Sequence, residues 1–237
     1  MEVHTQEHIG TDSKIGKADH GVPTGHAAEL LKRATHSVVR GAELDDVLRH
    51  RHDAYGRSGI FGASPDGMLR DAHDDARDTY TVATRLDGRI AGSLRVQVIK
   101  PAMQTTYSCG LFPEAVERLL HSGATAIDCN RATTDERVTK DERGFHMLAL
   151  RPAMLAAAHF GAEWILAPVQ KRHVAFYARG LTGRPVSDPI VAPGTTGCVA
   201  LLVGMHVPSM VERRGERLQF MLPRPGETDA LFGPVAH

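Results

Sequence analysis

Hydrophobic and polar residues alternate with two different periods along this chain, and each period predicts a different element. Over Glu43–Ser58 the apolar residues recur at steps of three or four, which predicts a helix. In the runs DTYTVATRL and IAGSLRVQVI, apolar and β-branched residues instead alternate with polar ones, and Asp87-Gly88 lies between the two runs. This pattern predicts two antiparallel strands joined by a tight turn.

Helical and strand patterns alternate through the rest of the chain. A short helix is predicted from His26, followed by a strand over Thr35–Gly41. Further helices are predicted at 111–123, 144–162 and 170–181, and further strands at 124–135, 164–169 and 197–206, before a loose C-terminal stretch. Because the hairpin is antiparallel and the later strands are separated by helices, a purely parallel sheet is excluded. The predicted fold class is α/β (α+β): a mixed sheet with helices on both faces.

Composition narrows the classes of protein that fit this pattern. Lys and Arg number 28 in total and so do Asp and Glu, so no global positive charge attracts nucleic acid. The three cysteines lie far apart and form neither a disulfide framework nor a metal-binding pair, so we expect no metal. No apolar run is long enough for a membrane span, and the N-terminus lacks the apolar core of a signal peptide. We therefore expect a cytoplasmic protein.

The first 25 residues differ from the remainder of the chain. They are rich in His, Gly, Asp and Lys and have almost no apolar periodicity. Such a composition is typical of a flexible arm. We therefore predict an N-terminal arm over 1–25 and a single domain over 26–237.

Charged residues that interrupt apolar segments are the candidates for chemistry. Arg95 lies in the second hairpin strand, and Asp128 and Arg131 lie on a later predicted strand. Alternation places such side chains beside apolar neighbours, and a buried guanidinium group needs a carboxylate partner. The available partners are Asp71, Asp74 and Asp128, so we predict an Arg/Asp constellation drawn from three segments. On the pattern alone, a structural ion-pair network and a functional site are equally good interpretations.

Four of these segments, taken in order, resemble the motifs of one enzyme family. VLRHRHDAY resembles the LRxxVF helix of the LuxI-type acyl-homoserine lactone synthases and their relatives, the FeeM-type N-acyl amino acid synthases. DAHD (Asp71–Asp74) resembles their D-x-x-D loop, RIAGSLRV their G-x-x-R strand and IDCNRATTD their E-x-S-R strand. The resemblance covers about residues 35–180. It implies a fold like that of the GCN5-related N-acetyltransferases (GNAT), whose mixed sheet splays open in the middle.

The resemblance also implies a reaction. A medium or long fatty acyl group would pass from the thioester of an acyl carrier protein to the amine of an amino acid. Acyl-phosphopantetheine would be the co-substrate, with no bound cofactor. The family's catalytic positions fall on Asp128, Arg131 and Arg95, and its substrate-binding positions on Arg51, Asp71 and Asp74. Met147, Leu150 and Met154 of the long helix are expected to line the acyl chain.

Several roles stay open within this resemblance. Asp128 would take the amine proton directly or through a water. Arg95 or Arg131 would bind the carboxylate of the amino acid in a bidentate fork, or would brace Asp71 and Asp74. Asp128 stands where the family has glutamate, and the shorter side chain makes a role as general base less secure.

Other departures bear on the branch of the family and on the acyl donor. Asn130 replaces the usual serine, and the only tryptophan is Trp164, far later than in the lactone synthases. Both points favour the amino acid synthases. Arg143-Gly144 is only a trace of the glycine-rich loop that would bind the phosphates of coenzyme A, which favours a carrier-bound donor.

An acidic carrier protein needs a basic landing site, and we expect one at Arg143, Arg151, Lys171 and Arg172. Interleaved acidic residues make a mixed solvated surface an equal interpretation. Two other functions remain open. One is an acyl-homoserine lactone synthase using S-adenosylmethionine, and the other is a non-catalytic acyl- or carrier-binding protein.

Overall fold

The computed structural model describes residues 24–62, 64–100, 105–121 and 123–234. The helices are α1 (Thr24–Arg33), α2 (Ala42–Arg57), α3 (Tyr107–Leu111), α4 (Pro113–Leu120), α5 (Glu136–Asp141), α6 (Phe145–His159), α7 (Val174–Leu181), α8 (Val207–Arg214) and α9 (Glu227–Phe232). The strands are β1 (Ala34–Val38), β2 (Thr79–Leu86), β3 (Arg89–Ile99), β4 (Ala126–Thr134), β5 (Trp164–Gln170), β6 (Arg184–Pro185), β7 (Ile190–Val191) and β8 (Val199–His206). Turns of 3₁₀ helix lie at Ala72–Asp75, Lys171–His173 and Gly215–Met221.

All the strands belong to one mixed sheet with the order β1-β2-β3-β4-β5-β8-β6, and β7 pairs with β8. The β2–β3 hairpin is antiparallel, as its sequence predicts, and β4–β5 is the parallel pair. The predicted mixed sheet is therefore confirmed.

The sheet splays open between β4 and β5. These strands pair only where Ala126–Asp128 lies beside Trp164–Leu166. Beyond that point β4 continues to Thr134 and β5 to Gln170 without pairing to each other. The register of β3 against β4 also shifts next to the opening, and Arg131 there has a φ of 53°. A left-handed residue other than glycine is uncommon and marks a local bulge.

Alternation along the strands gives the two faces of the sheet different interiors. On one face, Leu94, Val96 and Ile127 pack in an apolar core with α6 and α7. On the other face, the intervening residues Arg95, Gln97 and Asp128 form part of a buried polar layer beneath α2 and α3. A polar layer of this kind is stable only when its members are paired.

Some elements differ from the sequence prediction. The helix predicted at 111–123 is two helices, α3 and α4, because Phe112 breaks the turn and Pro113 starts a new one. The C-terminal stretch is not loose: it contains α9, which packs against α6.

Residues 1–23, most of the predicted arm, lie outside the described residues, and α1 begins at Thr24. The division into an arm over 1–25 and one domain over 26–237 stays a prediction. In the described part of the chain, no helix is long and apolar enough to cross a membrane.

Candidate active site

The opening between β4 and β5 holds a cleft of about 260 Å³. Its walls are the unpaired parts of the two strands, Cys129–Thr134 and Pro168–Gln170. Aromatic and apolar side chains from α2, the loop after it and α3 close one side: Tyr55, Ile60, Phe61, Tyr107 and Leu111. The splay thus creates a pocket whose backbone walls lack their usual partner strand.

A second cavity, of about 340 Å³, lies towards α6 and α7. It shares five wall residues with the cleft, namely Ala132, Thr133, Thr134, His173 and Tyr177. A third, much smaller void of about 10 Å³ lies behind Tyr177 and is lined by four methionines, Met154, Met205, Met210 and Met221. The cleft and the second cavity therefore meet at the bulge of β4, and Tyr177 lines both of them and the small void.

Five charged residues form a continuous network beside the cleft. Arg51 donates to Asp74 at 2.6 Å, and Arg95 contacts both Asp71 at 2.5 Å and Asp74 at 3.1 Å. Arg131 donates to Asp71 through Nε at 3.0 Å and Nη2 at 2.6 Å. The predicted Arg/Asp constellation is thus present, with Asp71 and Asp74 as the shared carboxylates.

The 3₁₀ turn at Ala72–Asp75 holds the two carboxylates in place. Asp71 caps the turn by accepting from the amide of His73, and Asp74 accepts from the amide of Asp71. Burial raises the pKa of Asp71, but Arg95 and Arg131 outweigh it and hold the pKa well below its usual range. Asp71 is therefore a firmly ionised anchor.

Arg131 is the member of this network that reaches the cleft. Its guanidinium group lies 4.8 Å from the ring centroid of Phe61 and 4.9 Å from that of Tyr107. Among the described residues nothing hydrogen-bonds to its Nη1, so one edge of the fork is free. Arg95 is fully buried and donates through Nε to Asn130 and through both other nitrogens to Asp71. Arg51 is equally buried and pairs with Asp74. Arg51 and Arg95 therefore hold the two carboxylates, and one of these, Asp71, binds Arg131.

Asp128 does not line the cleft. It is fully buried on the α3 face of β4, where its carboxylate accepts from the amide and the hydroxyl of Ser108 at 2.6 and 2.8 Å. It also accepts from Asn130 at 3.0 Å. The expectation that Asp128 pairs with a buried arginine is wrong, because these neutral donors already satisfy it. In this arrangement Asp128 ties α3 to the sheet at the root of the splay.

The residues assigned to the acyl chain occupy different positions. Leu150 lines the second cavity and the small void, and Met154 lines the void. Met147 lines none of these three spaces and packs against Gly180 of α7.

Of the four expected carrier contacts, three are on the surface. Arg143, Lys171 and Arg172 are exposed, and the latter two border a groove that continues outward from the cleft. Arg151 is fully buried, donating to both carboxylate oxygens of Glu227 and to the carbonyl oxygens of Phe220 and Leu222. Its assignment to a landing site is wrong, because all three side-chain nitrogens hold the C-terminal segment on α6.

The sequence prediction gives no role to three titratable residues that line the cleft, Tyr55, His173 and Tyr177. Tyr55 donates to the carbonyl oxygen of Ala132 in the bulge, and burial raises the pKa of Tyr55 and of Tyr177. Among the described residues no group hydrogen-bonds to the Tyr177 hydroxyl. His173 lies one helical turn before Tyr177 and lines both cavities. Their four-residue spacing in QKRHVAFYARGL was the available signal. Within the described ranges, no three His, Cys, Asp or Glu residues are grouped so as to hold a metal ion.

Comparison with known proteins agrees with this geometry. Among solved structures the chain is similar to FeeM, an N-acyl amino acid synthase from uncultured soil microbes, with a TM-score of 0.61 and 11% identity over 76% of this chain and 94% of that one. It is also similar to the acyl-homoserine lactone synthase LasI, with a TM-score of 0.52 and 13% identity over 86% and 96% of the two chains. For MesI, a CoA-dependent acyl-homoserine lactone synthase, the TM-score is 0.50 and the identity 19% over 77% and 89%. At these identities the likeness shows the fold alone, and it confirms the GNAT-like sheet.

No match was found among the curated proteins. The family comparison, in contrast, covers most of the chain: residues 46–206 match the family of the N-acyl amino acid synthase FeeM. That stretch includes α2, the charge network and both strands of the splay. The chain therefore belongs to the FeeM family of N-acyl amino acid synthases and is an N-acyltransferase.

Proposed function

We propose that this enzyme transfers a fatty acyl group from the thioester of an acyl carrier protein to the α-amine of an amino acid. The observation that carries the proposal is the pair of cavities that meet at the β4 bulge, one for each substrate. Reaction between two bound molecules gains most from holding them in line at a shared junction. The splay supplies such a junction.

The acceptor is an amino acid because the cleft presents a free cationic fork and no counter-charge. Arg131 and Arg172 line it, and no Asp or Glu is among its described wall residues. A carboxylate accepts well from a guanidinium fork, and the desolvated setting strengthens the bond. The sulfonium cation of S-adenosylmethionine gains nothing from such a lining. The charge of the cleft thus favours an amino acid over the lactone synthase substrate.

The acyl chain is assigned to the second cavity. Its wall includes Ala149, Leu150 and Phe176, and Leu150 and Tyr177 also border the methionine-lined void. Methionine side chains are flexible and adapt to the shape of an apolar ligand. A long chain therefore has an apolar route from the junction towards the centre of the core.

The chemistry at the junction needs donors for the oxyanion and for the leaving thiolate. Past Asp128, the side of β4 that faces β5 has no ladder partner, so its backbone N–H groups are open to the cleft. Such groups stabilise a tetrahedral oxyanion without reorganisation. Tyr177 lines both cavities, and we assign its hydroxyl the protonation of the departing sulfur.

A carrier-bound donor is favoured over coenzyme A by the start of α6. Phe145 there is fully buried, and the Glu142 carboxylate lies just before it, held by Arg33. Phosphates at this helix terminus would meet a carboxylate instead of a glycine-rich cradle. Lys171 and Arg172, at the outer end of the cleft, suit an acidic carrier.

The test combines purified enzyme, an acyl-carrier-protein thioester and a mixture of amino acids, with the products identified by mass spectrometry. We expect N-acyl amino acids, and a preference for the best amino acid over its decarboxylated amine of about 10- to 100-fold, as one charged hydrogen bond gives. Arg131→Gln should abolish that preference, whereas Arg40→Gln, at an exposed site, should keep it. Product from S-adenosylmethionine alone would overturn the acceptor assignment, and absence of any turnover would support a binding protein instead.

The donor assignment has its own measurement. Lys171→Glu should raise KM for the carrier thioester and leave KM for a short acyl-pantetheine thioester unchanged, because Lys171 borders the outer groove and not the cleft. Arg40→Glu is the charge-matched control. Equal activity with acyl-CoA and carrier thioester, insensitive to this charge reversal, would contradict carrier docking.

A further inference from the structure

Among the described residues that line the cleft there is no carboxylate to act as a base. An amino group is largely protonated at neutral pH, and only the neutral amine attacks a thioester. Asp128, the expected base, is sealed behind Ser108 and Asn130. The acceptor proton must therefore go to another group.

The titratable residues that line the two cavities limit which side chain can act as the general base. Their titratable wall residues are tyrosines, cysteines, arginines and histidines: Tyr55, Tyr107, Cys129, Arg131, His146, Arg172, His173, Tyr177 and Cys198. Arginine stays protonated at neutral pH, and burial raises the pKa of both cysteines, so thiols and phenols keep their protons. An imidazole is the side chain that accepts a proton in this range. His146 lines only the second cavity, whereas His173 lines both.

Resting on the proposed function, the geometry points to His173 as the general base that removes the proton from the acceptor ammonium group. His173 lies where the 3₁₀ turn Lys171–His173 passes into α7, at the wall shared by the cleft and the second cavity. Tyr177 follows one turn later on the same side of the helix. Base and acid therefore border the junction from one rigid element.

The surroundings of the imidazole suit this role. Among the described residues nothing hydrogen-bonds to its ring, so both nitrogens are available. Burial lowers the pKa of His173, and the neighbouring charges of Arg172 and of His146 on α6 lower it further. Tyr177 is the other titratable residue among the described residues of the shared wall. The other titratable residues that line the cleft with His173 are Tyr55, Tyr107, Cys129, Arg131, Arg172 and Cys198. The ring is consequently neutral at pH 7, and its exposed edge returns the proton to solvent.

The step balances as follows. The ring nitrogen of His173 takes one proton from the ammonium group, and the amine lone pair forms the C–N bond to the thioester carbon. Collapse of the tetrahedral oxyanion breaks the C–S bond, and the thiolate takes the proton of Tyr177. The second proton of the former amine restores Tyr177, so the products are amide, thiol and one proton released through His173.

The test compares His173→Gln with wild type across pH, using a saturating acyl-pantetheine donor so that carrier docking does not contribute. We expect kcat/KM for the amino acid to fall by about 10²- to 10⁴-fold and its acid limb to disappear. The loss should shrink at high pH, with added imidazole, and with hydroxylamine as acceptor, because that amine is already neutral at pH 7. His121→Gln, on an exposed helix end, is the matched control.

Each outcome decides the matter. A His173→Gln enzyme that keeps its acid limb, or that loses only affinity for the carrier thioester, would overturn the role as base. A His173→Gln enzyme whose melting temperature falls to the assay temperature, so that the lost activity equals the unfolded fraction, would assign His173 to stability instead. If the wild type transfers acyl groups to no amine at all, the proposed function fails as well, and that result is distinct from a normal wild type with an unaffected variant.

Discussion

Neutralising Asp71 tests whether the charge network holds the site together. Asp71→Asn conserves the shape of the side chain and keeps an oxygen for the amide of His73. It removes the charge that receives four donors, two from Arg95 and two from Arg131. Arg51 and Arg95 would keep Asp74, Arg131 would lose its carboxylate partner, and the network charge would rise from +1 to +2.

The magnitude follows from burial. Removing one partner of a buried ion pair costs about 3–5 kcal/mol. The Asp71 side chain is 25% exposed while Arg95 is 0% exposed, so we expect the lower end, about 3 kcal/mol. For a chain of this size that corresponds to a fall in melting temperature of roughly 6–12 °C.

The assay is thermal unfolding at pH 7, with Asp75→Asn as the matched control. Asp75 is in the same turn but 65% exposed, and its nearest cation, Arg70, is 3.7 Å away. Its loss should cost less than about 1 kcal/mol. Equal melting temperatures for the two variants would refute the reasoning.

Acid supplies a second check on the same residue. Because the pKa of Asp71 is depressed in the folded protein, its stabilisation is complete above the unfolded value of about 4 and is lost as pH falls towards the folded value. The advantage of wild type over Asp71→Asn should therefore shrink below about pH 4.

Two further predictions concern packing and pH. Gly92→Ala should destabilise the protein by about 1–3 kcal/mol in urea unfolding, because the new Cβ would lie 2.9 Å from the carbonyl oxygen of Thr133 and 3.2 Å from Ala149. Gly110→Ala has nothing within 4 Å and should be neutral or stabilising; equal effects would contradict the packing argument. Burial, reinforced by Arg151, lowers the pKa of His36 from 6.5 to about 4. The unfolded chain therefore binds the proton at a higher pH than the folded protein does, and the free energy of unfolding should decrease as pH falls from 6.5 to about 4. His36→Gln should flatten that fall, and an unchanged pH profile of the urea midpoint would contradict it.

Local patterns predicted the elements whose partners are close in the sequence. The stripe that begins at Leu44 placed Arg51 on the buried face of α2, and Asp87-Gly88 identified the hairpin. Because a buried Arg95 needs a carboxylate, the sequence identified Asp71, 24 residues away, and Asp74, which is closer still. Periodicity and charge balance were sufficient in these cases because each acts over one or two elements.

Errors arose where a partner was distant or its element was not recognised. Arg151 was assigned to the surface because its partner Glu227 is 76 residues away, on a helix that the sequence did not indicate. Asp128 is expected to pair with a buried arginine, whereas its partner Ser108 lies on α3, whose start the apolar stripe of α4 conceals in the sequence. His173 was overlooked since an amphipathic helix shows which side is buried and not that a cavity lies beside it.

The splay has a cause in one residue on each of its two strands, Pro168 on β5 and Arg131 on β4. Both backbone groups of Leu202 on β8 bond away from β5: the N–H donates to Ser187 Oγ at 2.8 Å, and the carbonyl oxygen accepts from the N–H of Val186 at 2.9 Å. Pro168 is the β5 residue opposite Leu202, so its own backbone nitrogen points away from β8 and towards β4.

Proline there has no N–H to offer a neighbouring strand, so β4 gains little by continuing to pair. On the other side of the opening, the left-handed backbone of Arg131 bends β4 away and turns its side chain to the cleft. Tyr55 fixes that bend by bonding the carbonyl oxygen of Ala132. The same local features that stop the sheet from closing therefore also bring the free edge of the Arg131 guanidinium group to the space that they open.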